Sequence, residues 1–169
     1  KYGVTKHHVL GMEVVTATGE VIHTGGRTVK NVVGFDLTGL MCGSEGMLGI
    51  ITEATLKLLP MPGATSTVRA SFHSMEAACK VLTKFTPEGL LPMAMEVLDK
   101  FCVAAVEEKY AFGLSKEAEA ILLVAVDGSK EEVTRNAELV ERIIKENGGF
   151  DILRARSKDE EDKLWDVRR

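Results

Sequence analysis

This sequence of 169 residues lacks an excess of basic residues, long apolar runs and low-complexity segments. Its formal net charge of −4 argues against a general nucleic-acid binder, because such proteins need surplus Lys and Arg to neutralise phosphates. No apolar run approaches the roughly 20 residues that a membrane-spanning helix needs. We therefore expect no nucleic-acid partner and no direct membrane span. What remains is an ordinary globular composition, with 45% hydrophobic and 27% charged residues.

The three cysteines, Cys42, Cys79 and Cys102, are far apart and form no Cys-x-x-Cys pair. This spacing does not indicate a zinc ribbon or an iron–sulfur site. The adjacent His7 and His8 would point to opposite faces of a strand, so no metal site is predicted there either. Each cysteine lies in an apolar or helical stretch, and we expect three buried free thiols. Free thiols suit a reducing compartment, which favours a cytoplasmic location.

A cluster of turn-forming residues at 61–63 (Met-Pro-Gly) divides the predicted elements into two groups. In the first group, 1–60, the pattern predicts a hairpin, a loop at 28–34, a short helix capped by Asp36, and a last strand. The predicted ranges of this group are strands 9–16, 21–24 and 49–59 and a helix at 37–42.

The second group, 61–169, alternates strands with helices. Ser74 and Ser157 are predicted to cap two of the helices. The alternation predicts an α+β sandwich of the split βαβ kind, with the helices on one face of the sheet. The predicted ranges are strands 67–72, 91–97, 120–126 and 150–155, and helices 74–85, 98–110, 130–147 and one that follows residue 157.

Glycines recur at every third position directly before a predicted strand, at Gly43, Gly46 and Gly49. Such a loop permits positive φ and lets backbone N–H groups approach a ligand, and a phosphate-bearing cofactor is a natural occupant. It is not a P-loop, because no Gly-Lys-Ser/Thr follows. It is not the Rossmann fingerprint either, since the order here is helix, glycine loop, strand. By spacing alone, a cofactor loop and a tight turn in a β-rich lobe explain the run equally well.

The wider run at 43–60, Gly-Ser-Glu-Gly-Met-Leu-Gly-Ile-Ile-Thr-Glu-Ala-Thr-Leu-Lys-Leu-Leu-Pro, resembles the end of the FAD-binding domain in flavoproteins of the vanillyl-alcohol-oxidase, PCMH-type superfamily. Within that superfamily the sequence is similar to the flavoprotein subunit of glycolate oxidase and to D-lactate and D-2-hydroxyglutarate dehydrogenases. Lys1-Tyr2-Gly3, the segment 30–37 and Trp165-x-x-Arg168 agree with this resemblance, which covers essentially the whole chain.

The resemblance implies an α+β fold made of two parts. Residues 1–60 would be the second lobe of a PCMH-type FAD-binding domain, and residues 61–169 the first part of a ferredoxin-like α/β-sandwich cap domain. FAD is the implied cofactor, contacted largely through backbone groups; many relatives carry Thr where Met47 stands here. The implied FAD contacts are Tyr2, Gly3, Glu45, Gly46, Met47, Leu48, Gly49, Ile50 and Ile51.

On the substrate side, Arg168 matches an arginine that holds a substrate carboxylate in the 2-hydroxyglutarate enzyme. A guanidinium can bind a carboxylate by two parallel hydrogen bonds, whereas by residue type alone a terminal Arg is more often a solvated surface group. Glu96 and Asp99 match a cap-domain segment and could shape the substrate side, although capping a helix is the simpler role for Asp99. Lys30 and Asn31 are further candidates for an approach to the flavin or a phosphate.

The implied activity is the oxidation of a small D-2-hydroxy acid of the glycolate or D-lactate type to the 2-oxo acid. Hydride would pass from the substrate α-carbon to flavin N5, and the electrons would leave to a non-oxygen acceptor or an electron-accepting partner subunit. Two alternatives stay open: a non-catalytic α+β ligand-binding or regulatory domain, and an ether-lipid synthase of the same superfamily.

The sequence begins at Lys1 without a Met and stops at Arg169 within a charged helical pattern. We interpret both ends as cuts. No general base or metal ligand is identified, because the matching family residues lie in a later part of the cap domain. We expect the isolated fragment to bind FAD weakly or not at all and to show no dehydrogenase activity.

Overall fold

The computed structural model describes residues 1–110 and 113–166. They form two compact units, an N-terminal unit at Tyr2–Met61 and a C-terminal unit that begins at Pro62 and also includes Lys1. The assignment of these units to the end of an FAD-binding domain and the start of a cap domain stays a prediction.

The N-terminal unit is built on an antiparallel sheet of three strands in the order β2-β1-β3. The predicted hairpin is present, and its turn is closed by the Thr16 N–H, which donates to the Glu20 carbonyl at 2.9 Å. Asp36 caps the short helix as predicted, because its carboxylate accepts from the Gly39 N–H at 2.7 Å. The elements are β1 (Val9–Val15), β2 (Val21–Gly25), α1 (Leu37–Met41) and β3 (Ile50–Leu56).

The C-terminal unit has an antiparallel sheet of four strands in the order β5-β6-β4-β7. Its strands are β4 (Ala64–Phe72), β5 (Ala94–Asp99), β6 (Ala120–Gly128) and β7 (Phe150–Arg154). Its helices are α2 (Met75–Phe85), α3 (Lys100–Tyr110), α4 (Lys130–Glu146) and α5 (Lys158–Asp166). All four strands and four helices of the predicted second group are therefore present.

One face of this sheet carries the main hydrophobic core. Alternate residues of β4 and β6, such as Phe72 and Leu122, point toward α2 and α4 because successive side chains on a strand face opposite sides. From α4, side chains at helical spacing, including Val140 and Ile144, complete the core. Ser129 and Glu132 start this helix with a reciprocal capping box.

The opposite face of the sheet is also covered by helices. Ile121 packs with Val103 of α3, and Leu123 packs with Leu164 of α5. The prediction of helices on one face only is therefore wrong. The physical reason lies in β6, which is an unbroken apolar run. A strand with one exposed face alternates apolar and polar residues, whereas a strand buried on both faces does not.

The expectation of buried thiols is wrong for two of the three cysteines. All three are free, but Cys79 and Cys102 are exposed and Cys42 is half-buried. Cys79 lies on α2 beside the buried positions Ala78 and Val81, on the side that faces solvent. The pKa of the Cys102 thiol is raised, chiefly by its hydrogen bond with the side chain of Asp99, which favours the protonated form.

Candidate functional site

The glycine run forms a loop between α1 and β3 that contains three residues with positive φ. Gly43, with φ of +95°, follows the end of α1. Glu45 and Gly46 then have φ of +51° and +78°, and the Met47 N–H donates to the Ser44 carbonyl at 2.9 Å. Positive φ at both central residues of a closed four-residue turn is the signature of a type I′ turn. A non-glycine residue in this region costs about 1 kcal/mol or more, and at Glu45 the turn imposes this conformation.

The three glycines of the loop serve different purposes. A Cβ on Gly49 would lie 2.6 Å from Val14 Cγ1 and 2.8 Å from the Val15 carbonyl oxygen, so Gly49 is required for close packing against β1. At Gly43 and Gly46, no described heavy atom lies within 4 Å of the Cβ position. These two glycines are therefore needed for their backbone conformation, and they border open space.

The loop contains backbone donors that have no acceptor in the described part of the chain. Within residues 1–110 and 113–166, no protein acceptor takes a hydrogen bond from the N–H groups of Glu45, Gly46 and Leu48. Successive N–H groups around left-handed residues can form a concave site for oxygen atoms of a ligand. The negative charge of the Glu45 carboxylate would repel a phosphate at this point. The loop is thus better suited to the uncharged, oxygen-bearing part of a cofactor than to its diphosphate.

Apolar side chains in the two loops that flank α1 and at the start of β3 are unusually exposed. Met47 is 85% exposed and Phe35, in the loop before α1, is 94% exposed. Isolated exposed apolar residues are common, but a set of this size in one small unit favours a role in binding a ligand or another part of the protein. We call this set the apolar loop surface; its members are Val29, Val32, Val33, Phe35, Met47, Leu48, Ile50 and Ile51.

Strand β3 connects the loop to the sheet through an irregular pairing. The register of β1 with β3 shifts between Glu13 and Val14, which leaves Thr52 as an extra residue. The Thr52 hydroxyl donates to the Glu13 carboxylate at 2.6 Å and fixes this bulge. Bulges of this kind redirect side chains and are frequent next to functional sites.

The remaining predicted FAD contacts, Tyr2 and Gly3, lie before β1. The Tyr2 carbonyl accepts from the His8 ring at 3.0 Å, and the space beside Gly3 is filled by the His7 ring. Because the Lys57 N–H donates to the His8 carbonyl while Val15 pairs with Ile50, His8 and the glycine loop are at opposite ends of β3. That separation is about 20 Å for a strand of this length. The predicted contacts are thus distributed over both ends of the sheet.

The predicted substrate-side residues have separate positions. Arg168 lies outside the described residues. Asp99 caps α3, since its carboxylate accepts from the Cys102 N–H at 2.8 Å, and this bond is the main reason that the pKa of Asp99 is lowered. Glu96 is half-buried in β5, beside Leu123 on the face that α5 covers. Lys30 is exposed in the loop before α1.

A polar cluster between β4 and α5 was not predicted from the sequence. Glu161 of α5 is only 6% exposed, and its carboxylate accepts hydrogen bonds from Thr65 and Thr67. The Trp165 indole N–H donates to the Thr67 hydroxyl at 3.0 Å. The available signals were the two threonines at alternate positions of a strand and an acidic residue on the apolar side of a helix.

A second polar pair, between a buried arginine and an exposed carboxylate, lies further along the same face of β4. The Arg69 guanidinium donates to the Asp151 carboxylate at 2.8 Å, and Asp151 has φ of +47° where the register of β7 shifts. Among the residues that the structure describes, Arg69 Nε and Ser71 Oγ are buried without a hydrogen-bond partner.

Two further properties concern the chain as described. No group of three or more His, Cys, Asp or Glu side chains in the described ranges could hold a metal ion. None of the described helices is both long enough and apolar enough to cross a bilayer.

Comparison with protein families places most of the chain in one group. The family model described as FAD linked oxidases, C-terminal domain, matches residues 61–169. Glycolate oxidase subunit GlcD of Bacillus subtilis is 39% identical over 169 residues, which is 100% of this chain and 36% of that protein. The D-lactate dehydrogenase of Archaeoglobus fulgidus is 35% identical over 172 residues, covering 99% of this chain and 37% of the relative. The chain thus spans about a third of the length of these curated relatives.

Solved structures agree at the level of fold. The chain is similar to an alkyldihydroxyacetonephosphate synthase, with a TM-score of 0.70 and 24% identity over 98% of this chain and 32% of that one. It is also similar to p-cresol methylhydroxylase, with a TM-score of 0.69 and 19% identity over 94% of this chain and 37% of the other. These findings confirm the α+β, PCMH-type fold and the resemblance to glycolate oxidase subunits and D-lactate dehydrogenases.

Proposed function

This chain belongs to the family of FAD linked oxidases, and we propose that the full-length protein is an FAD-dependent D-2-hydroxyacid dehydrogenase of the glycolate or D-lactate type. The support is that the relatives named glycolate oxidase subunit and D-lactate dehydrogenase are 35% to 39% identical over essentially the whole chain. The ether-lipid synthase has a similar fold, but its identity of 24% supports no shared activity. Family membership also favours an oxidoreductase over a purely regulatory domain.

The observation that carries the FAD assignment is the glycine loop. Its N–H groups at Glu45, Gly46 and Leu48 have no acceptor within the described part of the chain, and the Cβ positions of Gly43 and Gly46 border open space. We propose that these groups hold carbonyl or hydroxyl oxygens of FAD, and that Met47 and Ile50 of the apolar loop surface exclude water from it. When bound, FAD supplies a two-electron acceptor at N5 for the hydride of the substrate α-carbon.

The other proposed contacts of this chain follow from the same reasoning. Tyr2 and Gly3, at the far end of β3, would hold a more distant part of the extended cofactor. Gly49 and Ile51 would act through the close packing of β3 on β1, which fixes the direction of the loop. Arg168 would bind the carboxylate of a small 2-hydroxy acid through its guanidinium. The electrons would then pass to an acceptor or a partner subunit.

The proposal is tested with the full-length protein. Purified protein is expected to carry a flavin spectrum, and anaerobic addition of glycolate or D-lactate is expected to bleach it. L-lactate serves as the stereochemical control and is expected to bleach the flavin much more slowly. A protein that contains FAD but is not reduced by any 2-hydroxy acid would contradict the substrate class and leave the cofactor assignment intact.

A further inference from the structure

Arg69 places a positive charge in a part of the sheet where its neighbours are apolar. It lies in the middle of β4 and is only 6% exposed. Its partners in the neighbouring strands are Leu123 of β6 and Leu153 of β7, and neither side chain can accept a hydrogen bond. Removing a guanidinium from water is strongly unfavourable unless other acceptors replace the water molecules. The surroundings of Arg69 therefore need to supply acceptors.

The described part of the chain supplies one acceptor to this guanidinium. The Nη2 group of Arg69 donates to an Asp151 carboxylate oxygen at 2.8 Å. Nε is buried without a partner, and no described acceptor takes a hydrogen bond from Nη1. A guanidinium has five N–H donors, so most of them remain unused. Asp151 compensates the charge only in part, because its side chain is 40% exposed and its carboxylate is shared with solvent.

The carboxylates near this face of the sheet are better provided with partners. Glu161 is buried on α5, and its carboxylate accepts from two threonine hydroxyls of β4. The carboxylate of Glu160, which is exposed, accepts from the Arg156 N–H at 2.7 Å. Among the described residues, the fold thus satisfies these anions and leaves a buried cation with unused donors. Buried polar groups normally have partners, so this asymmetry favours a ligand that brings negative charge to Arg69.

Arg69 borders an open groove whose walls include residues of β7 and α5. Asp151 and Leu153 line it from β7, and Lys163 lines it from α5. Lys163 is exposed and forms no ion pair within the described ranges, so it adds a second positive charge. Leu153 is 46% exposed and gives the groove an apolar wall. Positive charge beside an apolar wall suits an organic carboxylate better than inorganic phosphate, which has no apolar part.

We propose that Arg69 lies at the floor of a binding site for a small organic carboxylate. The ligand accepts hydrogen bonds from the N–H groups that Asp151 leaves unused, and its hydrocarbon part contacts Leu153. Lys163 attracts the carboxylate from the side of α5. All of these residues belong to the C-terminal unit, so the site is separate from the proposed FAD contacts of the glycine loop.

The test uses the full-length protein and calorimetric titration with butyrate, at an ionic strength kept constant with chloride. Arg69→Met removes the guanidinium but keeps an unbranched side chain that suits apolar surroundings. Butyrate should bind this variant about tenfold more weakly or worse, because hydrogen bonds from a charged group are lost. Arg135→Met is the matched control, since Arg135 is exposed on α4 and does not line the groove. Its butyrate affinity should equal that of the wild type.

A second variant should act in the opposite direction. Asp151→Asn keeps the size of the side chain and tolerates the left-handed backbone at this position, but removes the negative charge that competes for Arg69. Butyrate should bind this variant about tenfold more tightly, the ratio expected for one charge-assisted hydrogen bond. Damage to the fold cannot produce tighter binding, so this variant keeps the test decisive if Arg69→Met is unstable.

The remaining outcomes each decide against the site or its ligand. Equal butyrate affinities in the wild type and Arg69→Met would overturn the site, and so would an absence of butyrate binding to the wild type. An equal loss in Arg135→Met would indicate an effect of net charge and would also overturn it. Unchanged affinity in Asp151→Asn would contradict competition for Arg69. If inorganic phosphate binds through Arg69 more tightly than butyrate, the organic carboxylate is the wrong ligand class.

Discussion

Replacement of Gly46 by alanine is the sharpest test of the glycine loop as an FAD contact. Gly46 has φ of +78° and no described heavy atom lies within 4 Å of its Cβ position. Gly19, in the turn between β1 and β2, has φ of +81° and equally open surroundings. The two glycines therefore present the same backbone demand in the same unit, but only Gly46 lies in the loop that we propose to contact FAD.

The expected effect on stability is nearly the same at both sites. An alanine in the left-handed region costs roughly 1 to 2 kcal/mol. Its lower entropy in the unfolded chain returns about 0.4 to 1 kcal/mol. Each variant should therefore lose about 1 kcal/mol of unfolding free energy, and denaturant melts of the apoprotein should give similar midpoints for Gly46→Ala and Gly19→Ala.

The affinity for FAD should differ between the two variants. The new methyl group of Gly46→Ala enters the open space next to the Glu45 and Leu48 N–H groups, so at least one hydrogen bond to the cofactor is lost. A loss of about 1.4 kcal/mol corresponds to a tenfold rise in the FAD dissociation constant. Fluorescence titration of the full-length apoprotein with FAD measures this ratio. Equal FAD affinities for the two variants would refute the assignment of the loop to the cofactor.

Three further predictions concern the fold. Phe72→Ala should destabilise the C-terminal unit by about 3 to 5 kcal/mol in a denaturant melt, because Phe72 is fully buried in the main core. Gly49→Ala should lower the melting temperature more than Gly46→Ala, since its methyl group would meet Val14 at 2.6 Å. Ser129→Ala should cost about 1 kcal/mol of stability near neutral pH, through loss of the helix cap. The pKa of Glu132 is lowered chiefly by the Ser129 N–H, so its contribution is complete above about 4.5 and is lost as pH falls through the folded pKa. Because alanine keeps the Ser129 N–H, the variant that tests this contribution is Glu132→Gln, which removes the charge. Its difference in stability from wild type should shrink in acid, and a difference that grows in acid would contradict the capping box.

The sequence was most informative where local chemistry decides the structure. Asp36, Ser74 and Ser157, the three predicted caps, stand at helix starts, and each accepts a hydrogen bond from the backbone N–H three residues further on. Boundaries of strands were less predictable. Strand β5 was predicted at 91–97, yet it begins at Ala94, after Pro92, which cannot donate to a sheet ladder.

Sequence patterns could not predict hydrogen bonds between polar residues that are far apart in the chain. Thr65 and Glu161 are separated by 96 positions, and nothing in the local sequence of either residue indicates the other. The exposure of Cys79 was also not predictable from its apolar surroundings in the sequence. Cys79 directly follows the buried Ala78 on α2, and neighbouring residues of a helix point in different directions, so its side chain lies on the solvent side. The predicted FAD contacts came from family resemblance, and spacing alone left the glycine loop ambiguous.

The contrast between the two units explains why the glycine loop is the place to look for function. In the C-terminal unit, side chains such as Phe72, Leu122 and Ile144 are completely buried in a closed core. In the N-terminal unit, the described core contains few buried apolar side chains, among them Val14, while Phe35 and Met47 remain exposed. Packing within the described part of that unit gives these side chains no benefit from being apolar. Their exposure becomes favourable when an aromatic, oxygen-bearing cofactor covers the loop, which is why FAD is the occupant that we propose.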